Sequence, residues 1–393
     1  MSSRLVQRAF PPLVIALAIT LLALIPRTVG LADFITIDES YHWIGRVERF
    51  GDALATGDWD QTNQTGHPGV TTMWLGAIGQ WLAFRDGVTN PGWAGGGVLF
   101  LAYLRLPLAI VNALAIAIGY LLLRRLVAPM TAALAAVLWA LSPFLIAHAR
   151  LLHLDALLAG FVTLSVLLLI AAIGFRDVSQ DTWRMHKAID WRFLILSGVS
   201  AGLALLTKAP ALLLPPFAAL LLGLAALWRE RGAGALAARL IRTVWRSLPA
   251  FLVWLAVAGF TMVLLWPAMW VDPAGAVGSI LREIIDNGSQ PHHSGNYFLG
   301  QAMGDPGPLF YPTVILWRTS PVTLLGLVAL IASIAVTIRR AARPTFHELA
   351  PIGALALFIL LFTLALTLEA KKFDRYLLPV WPALEILAAV GIA

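Results

Sequence analysis

Long apolar runs recur along almost the whole chain, and they leave little choice of solvent. Crossing a bilayer takes about 20 apolar residues. Ten stretches approach or exceed that: 10–31, 98–123, 130–147, 154–173, 193–207, 209–228, 248–266, 314–338, 349–368 and 377–393. The run from 193 to 228 is too long for one span and is broken at Lys208-Ala209-Pro210, which predicts a hairpin with Lys208 at its tip. Only 12% of the residues are charged, half of the roughly 25% of soluble domains. The pattern predicts an all-α integral membrane protein, a polytopic bundle of about ten spanning helices. Without Cys, disulfides, thiolate zinc sites and cysteine nucleophiles are excluded.

The charges then sort by side. The formal net charge is +7, but no basic stretch sits in a nucleic-acid-binding module, so anchoring of loops is the better account. With the N-terminus in the cytoplasm, the inside connectors hold sixteen basic residues against five acids, as the positive-inside rule requires. Arg4 and Arg8 precede the first run, which has no small-residue cleavage site and is read as an uncleaved helix. The run 70–84 would invert every later connector if it crossed the membrane; it is short and glycine-interrupted, and is assigned to the interface. The outer face then receives two long loops, 32–97 with eight acids and 267–313, together with the glycosylation triplets at Asn63 and Asn287. The whole of 1–393 reads as one membrane domain. It stops inside an apolar run, so further chain is expected beyond Ala393.

Polar groups that chemistry can use collect on that outer side. Asp38 and Glu39 follow the first run at once, with His42 beside them. An acidic pair at a helix exit must stay hydrated, be paired, or react. His67 stands in Gly66-His67-Pro68-Gly69, Arg105 lies a few residues inside an apolar run, Arg150 and Asp155 share a tip with His148 and His153, and Lys208 occupies the next tip. Lys372, Arg375 and Tyr376 lie in the last. Each has a plainer account: a solvated acidic loop, a turn at His67-Pro68, Arg105 reaching headgroups, an Arg150–Asp155 ion pair, lysines on lipid phosphate. Together they suit a lipid-linked phosphate held by cations, with a carboxylate to deprotonate an acceptor hydroxyl. His42 and His67 with the acids would suit zinc or manganese, but no ligand spacing supports a site, and no metal is assigned.

The chain resembles glycosyltransferase family 39, the protein O-mannosyltransferase type of phospholipid-carrier-dependent glycosyltransferases with a GT-C fold. The resemblance runs through Asp38-Glu39, His67-Pro68-Gly69 to Trp74-Leu75, Leu104-Arg105-Leu106-Pro107, Ala149-Arg150 to Leu154-Asp155-Ala156-Leu157, the stretch from Gly202 to Lys208, Tyr297-Phe298-Leu299-Gly300 with Asp305-Pro306-Gly307-Pro308, and the stretch from Lys371 to Tyr376. It implies inverting transfer from a polyprenyl- or dolichyl-phosphate sugar, mannose by family habit, with no nucleotide sugar, no certain cofactor and generally no essential metal. The expected roles are base for Asp38 and orientation for Glu39. Arg105 is the first choice for the donor phosphate, followed by Lys208, Arg150 and Lys372. His42, His67, Asp155, Arg375 and Tyr376 position donor or acceptor.

The expected protein is an inner-membrane enzyme of a prokaryote, working outside the cytoplasm on a protein, glycan or lipid acceptor. The 267–313 loop is too small for the extra outer domains of protein-modifying relatives, which weakens a protein acceptor. The alternatives are transfer of aminoarabinose or another sugar to a glycolipid, a transporter or flippase, which would show repeats and broken helices meeting at the midplane, and a non-catalytic scaffold that keeps the fold.

Overall fold

The computed structural model describes residues 11–90, 97–177, 182–230, 235–288, 291, 295–339 and 346–393. Arg4, Arg8, Asp181, Arg231, Arg340 and Arg343 lie outside the described residues, as do the side chains of Asn287 and Glu348. Helix α1 is Pro12–Thr28. Leu13, Leu17, Leu21 and Ile25 recur at one face of it and are each more than half exposed, while Ala16, Ile19, Ala23 and Arg27 are buried. A stripe of that kind is stable where lipid, not water, covers it.

A π-turn, Glu39–Trp43, leads into α2, Ile44–Thr56, and then α3, Val70–Arg85. The bundle continues with α4, Val98–Leu126, and the pair α5, Pro129–Leu141, and α6, Pro143–Ala149, bent by 57°. Next come α7, Asp155–Ile173, the antiparallel hairpin β1 Gly174–Asp177 with β2 Thr182–Met185, α8 Trp191–Thr207, α9 Leu214–Arg229 and α10 Leu236–Leu265. The last third holds α11 Pro273–Gly288, β3 Asn296–Phe298 paired with β4 Gln301–Met303, α12 Phe310–Arg318, α13 Pro321–Arg339, α14 Phe346–Leu368 and α15 Trp381–Ile392. Among the described residues seven helices are long and apolar enough to cross a membrane, eight with the bent pair; α1 and α8 are shorter apolar helices. The chain is a multi-pass membrane protein of mostly helical, GT-C architecture.

Besides the 57° break inside the run 130–147, two boundaries differ from the sequence expectation. The run 314–338 divides after Arg318, because Pro321 disfavours helical backbone at the residue before it, and α13 restarts with that proline. Helix α10 begins well before 248 and takes in Arg239, Arg242 and Arg246. The hairpin at Lys208 is found: α8 ends at Thr207, and Lys208 is extended before the next helical turn.

Two apolar clusters organise the interior. The larger joins the spanning helices. The smaller packs α2 and α3 on the ends of α4, α7, α8 and α11 through Trp43, Phe50, Met73, Leu104, Leu154, Leu206 and Ile280. Helix α3 has 16 residues, short of a span, and lies flush on α4: a Cβ at Gly79 would stand 2.3 Å from the Tyr103 carbonyl oxygen. The Trp74 indole N–H donates to the Leu265 carbonyl at 2.7 Å and ties α3 to α10.

Replacing Gly79 by Leu forces α3 off α4 and is expected to cost at least the 1–3 kcal/mol typical of overpacking. Gly223→Ala, where a Cβ meets nothing within 4 Å, should be neutral or slightly stabilising. Thermal unfolding of both variants in detergent measures the difference.

Candidate active site

After α1 the chain reverses through Gly30, whose positive φ of 71° suits glycine, and enters the π-turn that Asp38 precedes. Single π-turns often mark functional segments. This one separates neighbouring carboxylates: Asp38 keeps 31% of its side-chain surface exposed, and Glu39 keeps none.

Glu39 is met from three directions. Arg105 of α4, equally buried, donates Nε to Oε1 at 2.7 Å and Nη2 to Oε2 at 2.6 Å. The Leu152 N–H donates to Oε1 at 2.8 Å, and the Thr36 N–H and hydroxyl donate to Oε2 at 3.0 and 2.7 Å. Arg105 also donates to the Leu31 carbonyl, and its guanidinium lies over the Phe34 ring. Burial works to raise the Glu39 pKa, but Arg105, Thr36 and Leu152 outweigh it and hold the carboxyl below its ordinary value. The forked, fully bonded pair fixes the start of the first loop to α4 and to the connector before α7.

Asp38 belongs to a second network. His153 Nε2 is 3.3 Å and Arg375 Nη1 2.8 Å from Asp38 Oδ2. His153 Nδ1 is 3.0 Å from Asp155 Oδ2, and Lys208 Nζ donates to Asp155 Oδ1 at 2.6 Å. The Lys208 ammonium stands 4.3 Å from the centre of the Tyr376 ring. The hydrogen bond from His153, then the charge of Arg375, hold Asp38 well below the usual carboxylate range against the opposing effect of burial. Burial opposes the charged form of His153, but Asp155 and Asp38 prevail and raise its pKa. Burial pushes Lys208 down from the ordinary ammonium value despite Asp155.

Beside this network lies a cavity of about 160 Å³ between the turn that leads into α9, the later part of α11 and the end of α14. Its polar wall is His67, Lys208, Glu283, Glu369, Lys371 and Tyr376; Leu212, Leu213, Ile284, Ala365 and Leu366 form the apolar remainder. His67 Nε2 is 3.0 Å from Glu283 Oε1. Burial raises the pKa of Glu369. The composition suits an amphiphile with an anionic head and a hydrocarbon tail.

The structure therefore gathers Asp38, Asp155, Lys208, Arg375, Tyr376 and His67 at one end of the bundle. Four other expected residues stand elsewhere. Arg105 is fully buried and paired with Glu39. Arg150 donates Nη2 to the carbonyls of Val29 and Gly30 and closes the end of α1. Lys372 is buried, donates to Asp305 at 2.8 Å, and borders a separate aromatic cavity of about 440 Å³ with Tyr297, Phe310, Trp317 and Arg318. His42 is exposed beside the buried Trp43. Three functional candidates lie outside the expected site set: His153 is in the right tip, Glu369 opens the last tip, and Glu283 sits on an amphipathic helix more than two hundred residues from its partner His67. No cluster of three or more metal-ligating side chains with coordinating geometry occurs among the described residues.

The bundle has the GT-C fold. The sequence profile of the dolichyl-phosphate-mannose-protein mannosyltransferase family matches residues 88–278, which include Arg105, Arg150, Asp155 and Lys208. Its fold is similar to that of apo ArnT from Cupriavidus metallidurans, with TM-score 0.61 at 17% identity over 96% of this chain and 59% of that one. The same protein bound to undecaprenyl phosphate gives 0.54 at 18% identity, over 97% and 59%. The archaeal oligosaccharyltransferase AglB from Archaeoglobus fulgidus, in complex with an inhibitory peptide and a dolichol-phosphate, gives 0.54 at 15%, over 97% and 50%. The chain thus spans 59% and 50% of the lengths of these proteins. No curated protein matches it by sequence.

Two outcomes follow. Arg105→Ala leaves Glu39 buried without its cation and is expected to cost about 3–5 kcal/mol, read as a large fall in thermal stability. Asp38 and Glu39 have depressed folded pKa values, so their stabilisation is present above the unfolded value of about 4 and is lost as pH falls through the folded values. Thermal stability of wild type should therefore fall more steeply below about pH 4 than that of Asp38→Asn.

Proposed function

We propose that this protein transfers a sugar, mannose or another hexose, from a polyprenyl-phosphate donor to an acceptor hydroxyl, with inversion. The observation that carries the reading is the juxtaposition of the partly exposed Asp38 and a largely apolar cavity whose polar wall carries Lys208 and Lys371, joined through Arg375 and Lys208. The donor phosphate lies among Lys208, Lys371, Arg375 and Tyr376, with its tail along Leu212, Leu213 and Leu366 toward lipid. Asp38 takes the acceptor proton as the acceptor oxygen bonds to the anomeric carbon. The carbon–oxygen bond to phosphate breaks, and the electron pair leaves on polyprenyl phosphate, where Lys208 and Arg375 stabilise it. Asp155 and His153 position Lys208 and Asp38. Glu39 holds the loop that carries the base.

The basic connectors lie toward the opposite helix ends. There Arg242 and Arg246 pair with Glu230, and Arg184 pairs with Asp177. That division supports an extracytoplasmic active site and a cytoplasmic N-terminus in a prokaryotic inner membrane.

A second donor class has its own support. Glu283 and Glu369 both line the cavity, and two carboxylates beside the phosphate site suit the ammonium of an amino sugar such as aminoarabinose.

Purified protein given labelled polyprenyl-phosphate mannose, a second hexose and aminoarabinose, each with an envelope extract as acceptor, tests the reading. Covalent transfer of one sugar is expected, with Asp38→Asn folded but slower by about 10²–10⁴-fold. Full activity in Asp38→Asn, or movement of sugar across vesicles without covalent transfer, contradicts it.

A further inference from the structure

We propose that Arg375 is shared between Asp38 and the donor phosphate, so that Asp38 becomes an effective base only once the donor is bound. The inference rests on the function proposed above and adds a control to the same site.

Arg375 occupies the hinge between the two halves of the site. One terminal nitrogen lies 2.8 Å from Asp38 Oδ2. Its Nε is buried without a hydrogen-bond partner. The nearest acid to it, Asp155 Oδ2, is 3.8 Å away, beyond hydrogen-bond reach. Its neighbour Tyr376, and Lys371 of the same loop, line the donor cavity. The side chain is 31% exposed, so it is not locked in the way Arg105 is. A guanidinium with one arm on the base and an unused N–H, in a loop that walls the phosphate cavity, can turn toward an incoming phosphate. Forked guanidinium–phosphate bonding is favoured over a single-armed contact with a carboxylate.

Charge accounting agrees. The inner network holds two carboxylates, Asp38 and Asp155, against Lys208, Arg375 and a protonated His153, one positive charge in excess. A sugar phosphodiester carries one negative charge. The resting arrangement is also poor for proton abstraction, because a carboxylate in contact with two cations binds protons weakly, whereas a general base works best with a pKa near the working pH. Moving Arg375 to the phosphate leaves Asp38 with His153 alone and sets a negative charge nearby. Both changes raise its proton affinity. The other groups facing Asp38 are Arg46, Lys208 and Tyr376. Those facing Arg375 are Asp38, Asp155, Lys208, His148, Tyr376 and the Phe373 ring. Lys208 and Tyr376 also line the cavity, but among the described residues Asp38 is ion-paired only with His153 and Arg375.

The step balances as before: the acceptor proton goes to Asp38, the acceptor oxygen bonds to the anomeric carbon, and polyprenyl phosphate leaves with the electron pair. Arg375 neither gains nor loses a proton.

The test compares two pH profiles of the full chain in lipid nanodiscs. kcat/KM for the donor reports the free enzyme, and kcat reports the complex. The acid limb of kcat is expected at least one pH unit above that of kcat/KM, about a tenfold change in proton concentration. In Arg375→Gln the kcat/KM limb should rise until the two nearly coincide, with a higher donor KM, while Arg375→Lys keeps part of the separation. A merely structural role would lower kcat at every pH without moving either limb. Coincident limbs in wild type, or an undiminished separation in Arg375→Gln, overturn the proposal.

If Arg375→Gln does not fold, infrared difference spectra of wild type against Asp38→Asn give the same answer without catalysis. Adding polyprenyl phosphate should shift the Asp38 carboxylate-to-acid transition to higher pH, and an unmoved transition overturns the proposal. Failure of wild type to transfer any sugar would remove the parent function, while the infrared titration would still decide the sharing of Arg375.

Discussion

The buried pair of Glu39 and Arg105 is the constraint on which the acidic end of the molecule depends. Desolvating both charges is expensive, and the cost is recovered only because nearly every polar atom of the pair is bonded: the guanidinium to Glu39 and Leu31, the carboxylate also to Thr36 and Leu152. Three distant stretches are thereby pinned to one point: the end of α1, the wall of α4 and the connector leading to α7. Asp38 is adjacent to that point in sequence and inherits its position.

The two carboxylates of one dipeptide thus divide the work by burial. Glu39 receives fixed donors and is inert. Asp38 faces two partners: His153, close to Asp155, and Arg375, beside loop residues that border the cavity. Asp155 couples the halves, since its other oxygen accepts from Lys208. The cavity complements this with cations near Asp38 and leucines toward the hydrocarbon. An anionic head and an apolar tail would satisfy it at once.

Much of this was legible in the sequence, and the limits are physical. Run length gave the helices, and Lys208-Ala209-Pro210 marked the hairpin, because bilayer thickness and proline act locally. Asp38 and Glu39 stood out because paired acids at a helix exit need an explanation. What stayed hidden was pairing. Arg105 reads as a conspicuous intramembrane cation, yet nothing along the chain says that its partner is Glu39 rather than a ligand. The same holds for Arg150, spent on the carbonyls of α1, and for Lys372, turned toward Asp305. His153 lay in a stretch already marked by Asp155, but its role as a bridge requires α7 and the first loop to meet. Glu283 could be found only as the inward acid of an amphipathic outer helix, and Glu369 as an acid at the start of a lysine-rich tip. The division of 314–338 was readable from Pro321, whose effect on Ser320 is local.

The most direct measurement is the structure of this protein in lipid nanodiscs with a polyprenyl phosphonate analogue of the donor sugar. The account predicts the phosphonate within hydrogen-bond distance of Lys208 and Arg375, the anomeric carbon facing Asp38, and the Glu39–Arg105 pair unchanged. A phosphonate bound at Arg105 or at the Arg242–Glu230 end, with Asp38 far from the sugar, would contradict it.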